Sequence, residues 1–425
     1  MSVNPKETIA LLRALVGIES VNPTLVAGAR GEAEIARFVQ RWLRKRGIAA
    51  ELQETHTEKV LNEKKAAAKG AAKMLSRPNV LATIGPAKQE SAARHGAKFG
   101  KGRVGIANSG AGMPALLIVA HLDTVGAGDM REPFTPRVRN GRLYGRGAQD
   151  IKSGVAAMCA AAASVVRENL PLVRAFTIAA VVDEECDSLG TQELLKTFRA
   201  EAAVVLEPTD LKLVIAHKGF AWFEITTRGR AAHGSMPQEG RDAIRMMGRV
   251  LEALDRLDRK LAARAAHRWL GRASLHASLI SGGQELSSYP AECTLQIERR
   301  TLPGETPAAL EMELNAVLRE LRAGDRNFRA TLRRMAARPA YEIAPGEKIV
   351  QHAAAALREV TGRAEFSGMS PWTDTALLAE AGIPGVVLGP RGRGLHGANE
   401  YVEMKSVVTL AEVLRRLIVR MCARE

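Results

Sequence analysis

The chain has 425 residues, 46% of them apolar and 25% charged, with a formal net charge of +15. This length is enough for two or three domains with a large core. No apolar run is long enough to span a bilayer, so a membrane-spanning protein is not expected. The N-terminal segment MSVNPKETIALLRALVG lacks the basic region and cleavage site of a signal peptide, so we expect it to be a first helix.

The first hundred residues predict two amphipathic helices and two short strands. Apolar residues recur at helical spacing over 5–47, up to Gly47, and strands follow in IAAELQE and RPNVLATIG. Residues 58–75, rich in Lys and Ala, predict a surface helix. Residues 86–112 are rich in glycine and have little apolar pattern, which predicts a mobile surface loop. A basic lid or an oligomer contact is the alternative for that loop.

Strands and helices alternate from residue 115 to 215. The predicted strands are PALLIVAHL, AFTIAAVVDEE and EAAVVLEP, and the helices between them are SGVAAMCAAAASVVREN and GTQELLKTFRA. This rhythm predicts an α/β fold with a mostly parallel sheet flanked by helices. Sheets of this kind bind ligands at the carboxyl ends of their strands.

The rhythm changes after residue 216. Residues 217–337 follow the order strand, helix, strand, strand, helix, strand, which predicts a ferredoxin-like α+β domain. The helix KIVQHAAAALREVTG, the strand GVVLGP and a last helix from Lys405 to Cys422 then return to α/β character. We therefore predict one domain made of 1–216 and 338–425, with 217–337 inserted into it.

A set of acidic and imidazole side chains follows apolar runs in LLIVAHLDTV, GRGAQDIKSG, VVDEECDSLGT, VVLEPTD and GLHGANEYVE. The set is His121, Asp150, Glu184, Glu185, Glu207 and His396. Taken singly, each has a duller interpretation, such as a polar strand end, a solvated loop or a turn. Because several fall at carboxyl ends of predicted strands, their joint occurrence favours one binuclear metal site.

Each member of this set has a predicted role. Asp150 can bridge two cations, and Asp123 can orient the imidazole of His121 or steady the next loop. Two divalent cations carry four positive charges, which three carboxylates and a hydroxide balance. Glu184 is left as the general base that takes a proton from metal-activated water. The remaining protein ligands are His121, Glu185, Glu207 and His396.

These blocks together resemble the M20 metallopeptidase family, which includes acetylornithine deacetylase, succinyl-diaminopimelate desuccinylase, aminoacylase and glutamate carboxypeptidase. The matching blocks are AHLDTV, GRGAQDIKSGVAAM, DEE, EPT, HKG, GRAAHGSMPQEGRDAI, RRTLPGE and LHGANEYV. The resemblance runs from about residue 5 to 425, apart from 86–112. It implies a zinc-peptidase type catalytic domain, and two divalent ions, Zn²⁺ first and Co²⁺ or Mn²⁺ as alternatives.

The resemblance also implies roles outside the metal ligands. His233 resembles a residue that the inserted domain of a partner subunit contributes to stabilise an oxyanion, so 217–337 would be a lid and dimerisation domain. Arg300 resembles the family's carboxylate anchor, with Arg299 as an alternative. Ser287 stands where many members have an asparagine that positions substrate. Trp372 lies in a block resembling an active-site loop, with a core or surface role equally open.

We therefore predict a hydrolase that cleaves a C–N amide bond in an N-acyl amino acid or a dipeptide-like anionic substrate with a free carboxylate. One alternative is another C–N bond, in a carbamoyl amino acid or an aromatic amine. The other is a non-catalytic binding protein. Closure of the lid would use hinges near 216–218 and 336–339.

Partners and location are predicted as follows. The homodimer through the inserted domain is implied by the resemblance alone. Nucleic acid is not an expected partner, because aromatic residues make up only 4% of the chain and offer few stacking surfaces. The isolated cysteines favour reduced thiols in a cytoplasmic protein. They are Cys159, Cys186, Cys293 and Cys422.

Overall fold

The computed structural model describes residues 3–55, 76–86 and 112–423. The predicted surface helix over 58–75 and the loop predicted over 86–112 lie outside the described residues, except at the loop's two ends. The chain groups into two compact units. The first contains Met1–Ile215, Ile343–Phe366 and Thr373–Glu425, and the second contains Ala216–Glu342 and Ser367–Trp372. The predicted roles of the two domains stay predictions.

The first unit begins with helices α1 (Pro5–Val16) and α2 (Ala33–Arg44) and strands β1 (Glu51–Glu54), β2 (Pro78–Ile84) and β3 (Leu116–His121). It continues with β4 (Arg137–Arg139), β5 (Arg142–Tyr144), α3 (Lys152–Arg167), β6 (Phe176–Val181), α4 (Leu189–Thr197), β7 (Ala203–Val205) and β8 (Leu213–His217). The second unit then adds β9 (Gly219–Arg228), α5 (Ala243–Ala263), β10 (Ser274–Gly282), β11 (Glu292–Thr301), α6 (Pro307–Gly324), β12 (Ala330–Arg338) and β13 (Tyr341–Glu342). The last elements are α7 (Lys348–Thr361), β14 (Phe366–Met369), α8 (Thr375–Glu380), β15 (Gly385–Val387), β16 (Gly392–Arg393), β17 (Tyr401–Glu403) and α9 (Met404–Cys422).

The main sheet of the first unit has the strand order β1-β2-β6-β3-β7-β15-β8. Its centre is parallel, because β3 runs parallel to both β6 and β7, and β15 runs parallel to β7. The pairs β1–β2, β2–β6 and β15–β8 are antiparallel. The predicted α/β class is confirmed, and the sheet is mixed because β2 and β8 run opposite to the central strands.

Alanine-rich helix α3 explains how the sheet is covered. It is buried from Lys152 to Val165, and it packs against α1, α9 and the sheet. A helix that is apolar on all sides is suited to this interior position. Its small side chains let neighbouring backbones approach closely. The parallel strands beneath it are buried along their whole length, as the continuous apolar runs of β3 and β6 predict.

The second unit is an antiparallel sheet with the strand order β10-β11-β9-β12 and two helices. Phe223 and Ile225 of β9 and Leu295 of β11 form a core with apolar residues of α5 and α6, including Met247 and Leu314. Strand side chains alternate between two faces, so the intervening residues of β9 point away from this core. The predicted ferredoxin-like fold is confirmed.

A third, small sheet was not predicted. It has the order β16-β17-β5-β4 and consists of strands of two or three residues. Strands this short show no alternation that could reveal them in the sequence. The sheet matters because its loops carry Asp150, six residues after β5, and His396, between β16 and β17. Within the described ranges, no helix is long and apolar enough to cross a membrane.

Buried His217 predicts a pH dependence of folding stability. Its Nδ1–H donates to the carbonyl of Lys218 at 3.0 Å, and burial lowers its pKa to about 4. In the unfolded chain this imidazole is protonated below about pH 6.5, whereas in the folded protein it stays neutral down to about pH 4. Unfolding is therefore favoured progressively as the pH falls from about 6.5 to 4, by up to about 3 kcal/mol.

We expect His217→Phe, measured by denaturant unfolding between pH 7 and 4, to lose stability less steeply than the parent protein. The ring contacts with Tyr341 and Trp372 can be kept by phenylalanine. His352→Phe, at a partly exposed position of α7, is the control and should keep the parent slope. Identical slopes for all three proteins would contradict the assignment.

Candidate metal centre

His121 ends the buried strand β3, and its side chain is 1% exposed. Its Nδ1 lies 3.0 Å from the carbonyl oxygen of Asp123 and 3.5 Å from that residue's carboxylate. These acceptors favour a proton on Nδ1, which leaves the lone pair of Nε2 available to coordinate a metal ion. Nε2 lies 3.2 Å from Oδ1 of Asp150 and 3.9 Å from Oε1 of Glu207.

Asp150 places its two carboxylate oxygens on two different imidazoles. Oδ1 faces His121, and Oδ2 lies 3.3 Å from Nε2 of His396. His396 Nε2 also lies 3.3 Å from Oε2 of Glu185. The predicted ligands therefore form two groups of three, which share Asp150. Within each group, the ligand atoms lie within 4.8 Å of one another.

The two glutamates of the DEE sequence are held by Asp123. Its Oδ1 accepts from the backbone N–H of Glu184 at 3.1 Å, and its Oδ2 accepts from that of Glu185 at 3.2 Å. Asp123 thus contacts the imidazole, one of the roles predicted for it, and also holds the DEE loop, which was not predicted. Asp183, the first residue of this loop, has a positive φ of 68°, so the chain turns sharply after β6.

Glu207 follows β7 and is buried. The neighbouring strand β15 ends at Val387, and Gly389, two residues later, packs directly on the glutamate's backbone. A Cβ on Gly389 would lie 1.8 Å from the carbonyl oxygen of Glu207. Only glycine fits at this close approach. Gly389, in the Gly-Pro sequence after β15, therefore lets that segment lie directly against the backbone of Glu207.

The candidate centre contains more acidic than basic side chains. Burial, followed by the charge of Glu207, raises the pKa of Glu184 well above its ordinary value, and burial does the same for Glu207. Burial opposes ionisation of Asp150 as well, but hydrogen bonds to His121 and His396 outweigh it and lower the pKa of that carboxyl. Closely spaced buried carboxylates repel one another, and cations between them would offset this repulsion.

The donor set fits two metal ions. Imidazole nitrogen and carboxylate oxygen are the usual ligands of Zn²⁺ outside cysteine sites. Oε1 of Glu185 is buried and has no hydrogen-bond partner among the described residues. A buried carboxylate oxygen left in that condition is costly, so it calls for a cation or an ordered water. The arrangement can therefore hold two ions, one on each side of Asp150.

The remaining predicted residues lie in the second unit. His233 is exposed, with Nδ1 2.7 Å from the hydroxyl of Ser235. The backbone carbonyl of Ser287 accepts from the N–H of Gly234 at 2.7 Å, so the structure brings Ser287 beside His233. Arg300 lies on β11, with its side chain 33% exposed. Arg299 is buried and paired with Glu305, so it is the less available of the two arginines.

Comparisons with known proteins agree with this geometry. The family described as Peptidase family M20/M25/M40 matches residues 117–420. The chain belongs to this M20 family. It is a metal-dependent hydrolase by that membership, and the predicted resemblance is confirmed.

Individual M20 relatives differ in their reported activities. Acetylornithine deacetylase of Myxococcus xanthus is 29% identical over 323 residues, which cover 74% of this chain and 82% of the relative. A tripeptidase from Staphylococcus aureus has a TM-score of 0.75 at 18% identity, covering 99% of both chains. A dinuclear metal-binding M20 peptidase from Bacillus subtilis has a TM-score of 0.69 at 15% identity, covering 98% of both chains. These structural likenesses establish the fold.

Two residues that the sequence did not single out brace the M20 centre. Glu400 is 1% exposed, and its Oε1 accepts from the backbone N–H of Gln149 at 2.9 Å and of Asp150 at 3.2 Å. Its Oε2 accepts from Nη1 of Arg146 at 2.7 Å. Arg146 in turn donates from Nη2 to the carbonyl of His396 at 3.3 Å. This brace joins the loop of Asp150 to the loop of His396.

A second buried network supports the DEE loop. Arg77 donates to both oxygens of Glu32, and its Nη2 also lies 2.7 Å from Oδ1 of Asp183. The side-chain amide of Asn22 donates to Asp123 at 2.8 Å and to Asp183 at 3.0 Å. The sequence signal for these residues was weak, because a single arginine or asparagine near a predicted strand or turn is ordinary.

The brace predicts unequal effects on the two ion positions. His121 ends β3 and Glu207 lies two residues after β7, both strands of the main sheet, whereas His396 lies in a loop, is 52% exposed and has a positive φ of 59°. We expect Glu400→Gln to weaken Zn²⁺ binding at the Asp150–Glu185–His396 position by about 10- to 100-fold, with a smaller effect at the other position. Stepwise titration against a competing chelator measures both affinities.

Glu403→Gln, on β17, is the matched control for that titration and should bind as the parent does. Removal of one partner from a buried ion pair can cost about 3–5 kcal/mol, so Glu400→Gln must first be shown to fold. Arg146→Lys is a second variant that keeps the charge but offers fewer donors to His396. Equal loss of Zn²⁺ affinity at both positions would contradict a preferential effect of the brace on the Asp150–Glu185–His396 position.

Proposed function

We propose that this M20 hydrolase holds two divalent ions and cleaves the C–N amide bond of an N-acyl amino acid or a dipeptide-like substrate with a free carboxylate. One observation carries the proposal: two groups of three ligand side chains share the carboxylate of Asp150. His121 and Glu207 would complete one position, and Glu185 and His396 the other. We propose Zn²⁺ as the ion, because the donors are nitrogen and oxygen in small numbers.

When bound, such ions would polarise the substrate carbonyl and lower the pKa of a bound water molecule. Glu184 is the proposed general base, because it adjoins a ligand and is held in place through its backbone by Asp123. It takes a proton from the water as the water oxygen attacks the amide carbon. It would then deliver that proton to the nitrogen as the C–N bond breaks. The second proton of the water also leaves on the amine, so the products are a carboxylate and an ammonium.

Residues of the second unit are proposed to bind substrate. Arg300 forms an ion pair with Glu298, with 2.5 Å between Nε and Oε1, and its side chain is 33% exposed. A planar guanidinium suits bidentate binding of a carboxylate. His233 is the proposed oxyanion donor, and Ser287, whose backbone pairs with Gly234, would help position the substrate.

We further propose that the protein is a homodimer through its second unit. Strand β10 is an edge strand, and apolar side chains on or beside it are exposed: Leu279 is 66% and Ile280 56% accessible. An exposed apolar edge strand invites pairing with a second copy. We place the protein in the cytoplasm, because the buried thiols of Cys159, Cys293 and Cys422 form no disulfides.

A substrate panel tests the proposed reaction. The purified protein, loaded with Zn²⁺, Co²⁺ or Mn²⁺, is assayed for amine release from N-acetyl, N-succinyl and dipeptide compounds. N-carbamoyl amino acids and aromatic amines, followed by release of ammonia, are the alternative arms. Metal-dependent release from the first set supports the proposal, and release from the alternative arms alone would redirect it to another C–N bond. No release from any compound would contradict a hydrolytic role.

Glu184→Gln tests the general base. We expect it to retain both metal ions, because Glu184 belongs to neither group of ligands, and to lose about 10²- to 10⁴-fold in kcat. Metal analysis and steady-state kinetics on the same sample give the two values. Glu193→Gln, on α4 in the same loop–helix region, is the control and should keep its turnover. A Glu184→Gln enzyme with ordinary kcat would show that another group moves the proton.

Mixing inactive subunits tests His233. If it acts across the proposed dimer, a mixture of His233→Ala and Glu184→Gln proteins forms hybrids with one intact site. We expect the mixture to recover a measurable part of the parent activity after subunit exchange. Exchange is followed independently with two differently labelled proteins. Exchange without any recovered activity would place His233 within its own subunit or outside the reaction.

A further inference from the structure

The second unit carries an aromatic surface beside Arg300. Phe220 and Trp222 lie on the face of β9 opposite the helices, since the alternate residues Ala221 and Phe223 belong to the core. Their ring centroids are 5.0 Å apart. Trp372 meets Phe220 edge-on, with centroids 6.3 Å apart. We call Phe220, Trp222 and Trp372 the aromatic ledge.

The ledge is fixed to Arg300 by register and by a shared carboxylate. Arg300 lies directly across from Phe220 in the β11–β9 pair, and its guanidinium carbon is 5.7 Å from the phenyl centroid. Glu298 accepts from the indole N–H of Trp222 at 2.8 Å with one oxygen, and binds Nε of Arg300 with the other. The indole and the guanidinium therefore keep a set distance from one another.

Trp222 is 42% exposed although it is large and apolar. The indole is therefore partly accessible beside the partly exposed guanidinium of Arg300. A ligand whose carboxylate pairs with Arg300 would lay its neighbouring group against this indole. Aromatic groups gain from such contact, both by burial of apolar area and by ring packing.

The surrounding charge disfavours a cationic group at the same place. Lys218 lies near enough to Arg300 for that charge to lower the pKa of its ammonium, after the larger effect of burial. Arg338 lies 5.8 Å from the ring of Trp372. The carboxylates on this face of the sheet are already engaged: Trp222 and Arg300 use both oxygens of Glu298, and Glu224 pairs with Arg333. An ammonium would thus face like charges, whereas an uncharged ring would not.

We propose that the aromatic ledge selects N-acyl amino acids with an aromatic side chain over those with a cationic one. This inference rests on the proposed function of Arg300 as carboxylate anchor. It separates this chain from the substrate named in its curated relatives, acetylornithine, whose side chain ends in an ammonium. The selection comes from Trp222 and Phe220, and the carboxylate of either substrate would bind Arg300 equally.

The test compares N-acetyl-L-phenylalanine, N-acetyl-L-ornithine and N-acetylglycine with the metal-loaded enzyme. We expect kcat/KM for the phenylalanine compound to exceed that for the ornithine compound by about tenfold or more. Trp222→Ala should lower kcat/KM for the phenylalanine compound by about tenfold and leave the glycine compound nearly unchanged, because glycine presents no side chain to the ledge.

Two further variants distinguish the ring from its hydrogen bond. Trp222→Phe keeps an aromatic face but loses the bond to Glu298, so it should retain most of the preference for phenylalanine. Trp42→Ala, at a stacked tryptophan on α2, should change neither ratio. An equal fall for the phenylalanine and glycine compounds in Trp222→Ala would overturn the proposal, since the residue would then act only by positioning Arg300.

The outcome also separates this proposal from the proposed function. Hydrolysis with the ornithine compound preferred would overturn the ledge and leave the amidohydrolase intact. If none of the three compounds is hydrolysed, calorimetric binding of the same compounds decides the matter. Tighter binding of the phenylalanine compound, lost in Trp222→Ala, supports the ledge without turnover, and equal binding of all three overturns it.

Discussion

The sharing of one carboxylate between two imidazoles is the constraint on which the site depends. Asp150 faces His121 with one oxygen and His396 with the other, at 3.2 and 3.3 Å. Two groups of ligands therefore meet at a single side chain, and a displacement of that side chain would disturb both. The fold surrounds Asp150 with restraints: Glu400 holds its backbone N–H, and Arg146 ties Glu400 to the loop of His396.

Bringing these side chains together creates electrostatic repulsion between buried carboxylates. Glu184, Glu185 and Glu207 lie together with little solvent, and burial raises the pKa of each carboxyl. Such a cluster is unfavourable unless protons or cations occupy it. The same repulsion that destabilises the empty cluster gives affinity for divalent ions, so the burial of the acids is the physical source of the proposed metal binding.

Much of this could be predicted from the sequence, because the signals are strong where strands are long. The apolar runs before His121, Glu184 and Glu207 predict buried strands, and carboxyl ends of parallel strands meet at one edge. His396 had no such strand, and its position was inferred from its motif. The loops of Asp150 and His396 are organised by β4, β5, β16 and β17, whose two or three residues leave no periodic signal.

The brace and the aromatic ledge were missed for a related reason. Arg146 and Glu400 are 254 positions apart, and a charged pair looks like surface until the fold shows that both are buried. Phe220 and Trp222 read as ordinary residues of an alternating strand, and only the register with Arg300 shows what they accompany. Local patterns predict elements, whereas these contacts depend on how distant elements meet.

The most direct measurement of the central claim is a crystal structure of the Zn²⁺-loaded protein with anomalous scattering recorded on both sides of the zinc absorption edge. The account predicts two anomalous peaks, one bounded by His121, Asp150 and Glu207 and the other by Asp150, Glu185 and His396. Peaks that lie elsewhere, or a carboxylate of Asp150 that contacts no ion in fully loaded protein, would contradict it.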